Sequence, residues 1–169
     1  MRYVFLDIDG VLNAESDFCS ETGKRLNGPR CSGYIGIGSS HMKALAKLID
    51  LSGAEVVLVS SWKELPSGSP LRKYMLSKFR RYGVVISGNT LAEEDKLGGP
   101  NRRGAAVKLW LSEHKYDESK DSFVILDDEE FDYAKEDLIK RLVKTFYYYV
   151  RPGGFQERDI QKALDILRV

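Results

Sequence analysis

Near the start of the chain, the apolar run Tyr3-Val4-Phe5-Leu6 leads into Asp7-Ile8-Asp9-Gly10-Val11-Leu12-Asn13, two carboxylates one residue apart. Alternate side chains of an extended segment point to one side. Asp7 and Asp9 can therefore serve a single reacting centre, Asp7 as nucleophile and Asp9 as proton donor and then base. An isolated Asp after a strand is ordinarily a turn residue, but here a second acidic group, Asp127-Asp128-Glu129-Glu130-Phe131-Asp132, closes the run Ser122-Phe123-Val124-Ile125-Leu126. If the two runs lie side by side, their carboxylates converge. Two unit charges about 4 Å apart repel by roughly 4 kcal/mol at an effective dielectric near 20, so such a cluster requires bound protons or a cation. Oxygen-only ligands select a hard ion, which makes Mg²⁺ the expected cofactor, with Asp7, Asp9, Asp127, Asp128 and Asp132 as candidate ligands.

Asp7-Ile8-Asp9-Gly10-Val11-Leu12 resembles the DxDGxL motif that opens members of the haloacid dehalogenase (HAD) superfamily, and Asp127-Asp128 with Asp132 resembles that family's acidic fourth motif. The resemblance implies phosphoryl transfer through an aspartyl-phosphate. It also implies a three-layer α/β/α sandwich, HAD-like and Rossmannoid, with a central five-stranded parallel sheet in the order 5-4-1-2-3 and no large cap. The family's second motif is a hydroxyl at the end of the second strand that binds a phosphoryl oxygen; Ser60 fits that position, with Ser61 in reserve. Its third motif is a cation that neutralises the nucleophile and the phosphoryl group. Arg103 is the first choice, with Arg102, Lys96 and Lys108 open. Gly10, Ser61, Trp62, Thr90 and Arg102 are further candidates for phosphate or substrate contacts. The Ser-Ser-Trp after strand 2, the Arg-led helix ending in Trp-Leu and the Ile-Leu-Asp-Asp strand resemble the small HAD modules of RNA-repair proteins, although Ala106-Val107 stands where Glu-Ile is usual. The expected substrate is accordingly phosphorylated: a nucleic-acid end, a nucleotide or a small metabolite.

Positioning these residues requires strands that end at one edge and helices that return the chain. Apolar and β-branched runs predict strands at 3–6, 55–59, 84–87, 122–126 and 143–150. Stripes at three- and four-residue spacing predict helices from Ser39 or Ser40, as cap, to Ser52, and over 71–82, 103–114, 131–142 and 157–167. The 71–82 helix carries Arg72, Lys73, Lys78, Arg80 and Arg81, a face that is either solvated or turned to nucleic acid. Trp62 is expected either in partial core packing or as a stacking surface for a base.

A length of 169 residues suits one domain, with 14–40 as a flap or minimal cap insertion. A net charge of +1 argues against a generalised polyanion-binding surface. No signal-peptide pattern and no apolar run approaching about 20 residues is present, so the expectation is a cytoplasmic protein with no membrane association and no obligate protein partner. Cys19 and Cys31, without a CxxC or nearby histidines, are expected to be free thiols.

Overall fold

The computed structural model describes residues 1–14, 36–90, 102–147 and 152–168. Five parallel strands, β1 (Arg2–Leu6), β2 (Glu55–Leu58), β3 (Ile86–Asn89), β4 (Ser122–Asp127) and β5 (Leu142–Lys144), form one sheet in the order β3-β2-β1-β4-β5. Four helices flank it: α1 (Ser39–Ser52), α2 (Pro70–Arg81), α3 (Arg103–Glu113) and α4 (Glu157–Leu167). This is the HAD-like α/β sandwich that the motifs imply.

Alternation along the strands builds two cores. Val4, Leu6, Val56, Leu58, Val124 and Leu126 point to one face, where they meet Met42, Leu45 and Leu48 of α1, Met75 and Phe79 of α2, and Ile160, Ala163 and Leu167 of α4. Tyr3, Phe5, Val57, Phe123 and Ile125 point to the other, against Val107, Trp110 and Leu111 of α3. β1 therefore has buried side chains on both faces from Tyr3 to Leu6, which is why it reads as an unbroken apolar run.

Four elements differ from the sequence expectation. α1 is capped by Gly38 without a side-chain bond, so Ser39 and Ser40 are its first helical residues rather than its cap. β3 begins at Ile86, not Val84, because the end of α2 consumes the intervening residues: Gly83 turns at φ 71°, its N–H donates to Arg80, and Val84 N–H donates to Phe79 (3.1 Å). No helix forms over 131–142. Turns occupy 131–137, with Phe131 and Asp137 at positive φ (37° and 57°), followed by a 3₁₀ turn at Ile139–Arg141. β5 ends at Lys144, well short of 150. Cys19, Cys31, Lys96, most of the 14–40 segment and the last three residues of the expected fifth strand lie outside the described residues.

Candidate active site

The backbone aligns the strand tips. Asp7 N–H donates to Leu126 O (2.9 Å), Val59 N–H to Leu6 O (3.0 Å), and Thr145 N–H to Asp127 O (2.9 Å). Since Leu6 pairs with Leu126, Asp7 and Asp127 leave neighbouring strands at the same height. The chain then turns at Gly10 (φ 74°), where a Cβ would come within 2.2 Å of Asp128 Cγ. Only glycine allows the Asp7 turn and Asp128 to approach so closely. The Thr145 hydroxyl donates to Gly10 O (2.7 Å) and ties the turn to β5.

One carboxylate oxygen from each of Asp7, Asp127 and Asp128 lies within 4.8 Å of the others. Asp7 is 2% exposed, and burial pushes its carboxyl up to about 7; Arg103 opposes the rise and Asp127 adds to it. Burial also pushes Asp128 up to about 6, reinforced by Asp127 and Glu129. Asp127 is raised by burial, against the pull of Arg103 and of hydrogen bonds from the Glu129 N–H, Arg103 and Tyr133. Such a cluster needs compensation.

Arg103 supplies part of it. At the first position of α3, its Nη1 lies 2.8 Å from Asp127 Oδ2 and 3.1 Å from Asp7 Oδ1. Its guanidinium also covers the Phe131 ring, 4.2 Å from the centroid. Burial works against its charge, but Asp7 and Asp127 outweigh it and raise its pKa. The second contact is an ion pair without hydrogen-bond geometry, and among the described residues Asp7 Oδ1 is a buried oxygen that accepts no hydrogen bond. A buried carboxylate oxygen left unpaired is costly. Three converging carboxylates and this orphaned oxygen fit a hard divalent ion.

The remaining candidates have separate placements. Asp9 is exposed, with its two oxygens held by Asn13 Nδ2 (2.9 Å) and Trp62 Nε1 (2.8 Å). Ser60 is fully buried at the tip after β2, where its hydroxyl works against the rise of the Asp7 carboxyl and accepts from Trp62 N–H (3.3 Å). Ser61 is exposed and opens the 3₁₀ turn Ser61–Glu64. Trp62 is 6% exposed: it packs in the core and spends its indole N–H on Asp9, so it offers no free ring for stacking. Thr90 sits at the end of β3, its hydroxyl directed to Leu58 O (3.4 Å). Lys108 pairs with Glu136 at 3.4 Å, and Arg102 with Asp132 at 3.4 Å.

Asp132 is not part of the carboxylate cluster. Its oxygens accept from the backbone N–H groups of Gly104 (2.6 Å) and Ala105 (3.3 Å), so it caps α3 from a distant loop. That use explains the missing 131–142 helix: the turns carry Asp132 to α3 and the Tyr133 hydroxyl to Asp127 Oδ2 (2.8 Å). Sequence reasoning missed Asn13, Phe131, Tyr133 and Thr145. Only Asn13, four residues after Asp9 in a tight turn, had a local signal.

Among the described residues, no helix is long and apolar enough to cross a membrane. A family model described as the HAD domain in Swiss Army Knife RNA repair proteins matches residues 3–152. No curated protein matches the chain.

Proposed function

We propose, for a chain that belongs to the family of HAD domains in Swiss Army Knife RNA repair proteins, that it is a phosphoric monoester hydrolase acting through an aspartyl-phosphate on Asp7. The observation that carries this reading is Asp7 Oδ1: buried at a strand tip, without a hydrogen bond, and beside a cation. A carboxylate in that state has two oxygens to divide between phosphorus and a divalent ion.

Asp7 attacks in line, forming its O–P bond as the bond to the leaving oxygen breaks, and Asp9 gives that oxygen its proton. Asp9 then takes a proton from the water that attacks phosphorus, which frees Asp7 and releases phosphate. Ser60 and Arg103 bind the remaining phosphoryl oxygens, and the charge on Arg103 opposes the negative charge that builds in the transition state. Asn13 and Trp62 hold Asp9 in position. Asp7, Asp127 and Asp128 would hold Mg²⁺, which when bound supplies positive charge to the nucleophile and the phosphoryl group.

The family description favours a nucleic-acid end or nucleotide as substrate over a small metabolite. Hydrolysis of an aryl phosphate with Mg²⁺, abolished in Asp7→Asn while the melting temperature is kept, is the expected result for the reaction. Equal turnover in wild type and Asp7→Asn would refute the nucleophile. For the substrate, a 3′-phosphorylated oligonucleotide is expected to be the best of a panel that includes phosphorylated metabolites. If a metabolite is preferred, the alternative reading takes its place.

A further inference from the structure

We propose that the cleft between α2 and the edge strand β3 holds the single-stranded polynucleotide behind a terminal phosphate seated at Asp7. The backbone phosphates would lie along Arg72, Lys73, Arg80 and Arg81. The inference rests on the hydrolase reading for what occupies Asp7, and it adds where the rest of the substrate lies.

Charge segregation is the first observation. The whole chain is nearly balanced, with 26 Lys and Arg against 25 Asp and Glu, yet residues 65–92 contain five cations and no acid, leaving 21 cations against 25 acids elsewhere. The near-zero total thus includes a stretch with five cations and no acid of its own, and local positive charge of this kind concentrates polyanions. Among the described residues these charges, on Arg72, Lys73, Lys78, Arg80 and Arg81, stay without ion-pair partners; Arg72 Nη1 donates only to the carbonyls of Lys63 (3.2 Å) and Leu65 (2.8 Å), and Lys78 lies over Tyr74.

The second observation is the cleft itself. A cavity of about 250 Å³ opens between helix and strand, lined by Lys63, Arg72, Leu76, Ser87 and Asn89 among others, with no acidic side chain among the described residues of its wall. Arg72, Leu76 and Arg80 follow at four-residue spacing and share a helix face, and Lys73 and Arg81 form the adjacent row, both exposed. At 1.5 Å per residue, this 12-residue helix makes a cationic track about 18 Å long.

The third observation is continuity with the site. Asn89 pairs with Leu58, and Leu58 with Leu6, the residue before Asp7. With strands about 4.8 Å apart, the cleft mouth is about 10 Å from the Asp7 strand. Lys63 and Arg72 sit at this upper end, beside the turn that follows Ser60, and Arg80 and Arg81 at the lower. A cationic groove that tracks the backbone is the electrostatic part of a seat for a single strand.

The test is fluorescence anisotropy of a 3′-phosphorylated single-stranded oligonucleotide across a salt series. The proteins compared are wild type, Arg80→Glu/Arg81→Glu, Lys73→Glu, and Lys162→Glu, a charge-matched change on α4. Loss of two phosphate contacts should weaken binding about tenfold or more at low salt and flatten the log Kd against log salt slope by about 1 to 1.5. Lys73→Glu should show a smaller loss, Lys162→Glu none, and melting curves should confirm that all four fold. Binding that is indifferent to the α2 charge reversals, or a wild-type affinity without salt dependence, would overturn the track. Binding of an acidic peptide in preference to the oligonucleotide would do the same. Aryl phosphate turnover separates this inference from the hydrolase reading: charge-sensitive binding without turnover removes the hydrolase, and turnover with charge-insensitive binding removes only the track.

Discussion

As the proposed proton donor, Asp9 has to stand beside the reacting centre, and because it is exposed its orientation depends on its hydrogen-bond donors. Trp62 Nε1 and Asn13 Nδ2 hold one carboxylate oxygen each. The Asn13 carbonyl oxygen in turn accepts from Gly10 N–H (2.9 Å), so the turn and the acid are fixed by the same side chain. Trp62→Phe keeps most of the buried ring and removes the donor. Loss of one hydrogen bond to a charged group is worth about 1.5–3 kcal/mol, and 1.4 kcal/mol is tenfold in rate. The expected outcome with an aryl phosphate is a kcat at least tenfold lower, with KM changed less than twofold, since in the proposed mechanism Asp9 moves protons rather than binding substrate. A kcat equal to wild type would show that the indole N–H does not position the acid. The burial of Trp62 was legible from its type, but its partner was not, because 53 residues separate it from Asp9 and only the fold brings them together.

At the scale of elements, the acidic loop and α3 are one unit. Asp132 reaches across to the first N–H groups of the helix whose leading residue, Arg103, points back to Asp7 and Asp127. The strands that carry the acidic motifs were readable because both faces of each are buried and their sequences are continuous apolar runs. The DDxxxD spacing, by contrast, suggested three metal ligands and a following helix. Asp132 satisfies another element's unpaired donors instead, which no local pattern encodes. Two substitutions separate these roles. Asp132→Ala should cost about 1–2 kcal/mol as a lost cap, or about 2–8 °C in melting temperature at 2–4 °C per kcal/mol for a chain of this size. It should keep the stabilisation gained on adding Mg²⁺. Asp128→Asn should raise metal-free stability slightly at neutral pH, where it removes a destabilising charge, and lose most of that gain from Mg²⁺. Reversed effects in thermal melts would return Asp132 to the metal site.

For the whole molecule, the carboxylate cluster sets how stability depends on pH. Asp7 and Asp128 are pushed up to about 7 and about 6, whereas both carboxyls titrate near 4 in an unfolded chain. Between about pH 4 and 7 the metal-free folded state therefore holds protons that the unfolded state has released, and its stability must fall as pH rises through that window. Asp117, Asp121 and Glu157 are shifted down by hydrogen bonds and cations, and their contribution is lost only as pH falls below about 4, outside this window. A divalent ion competes with the protons on Asp7 and Asp128, and it binds the folded state alone. Without metal, the melting temperature should decline from pH 5 to pH 8. Saturating Mg²⁺ should restore little at pH 5 and most of the loss at pH 8, and Arg103 should keep Asp7 and Asp127 tolerable but unsatisfied in between. A Mg²⁺-induced shift of the same size at both pH values would mean that protons and metal do not share the site, and the cluster would then be a proton-stabilised core and not a cation centre.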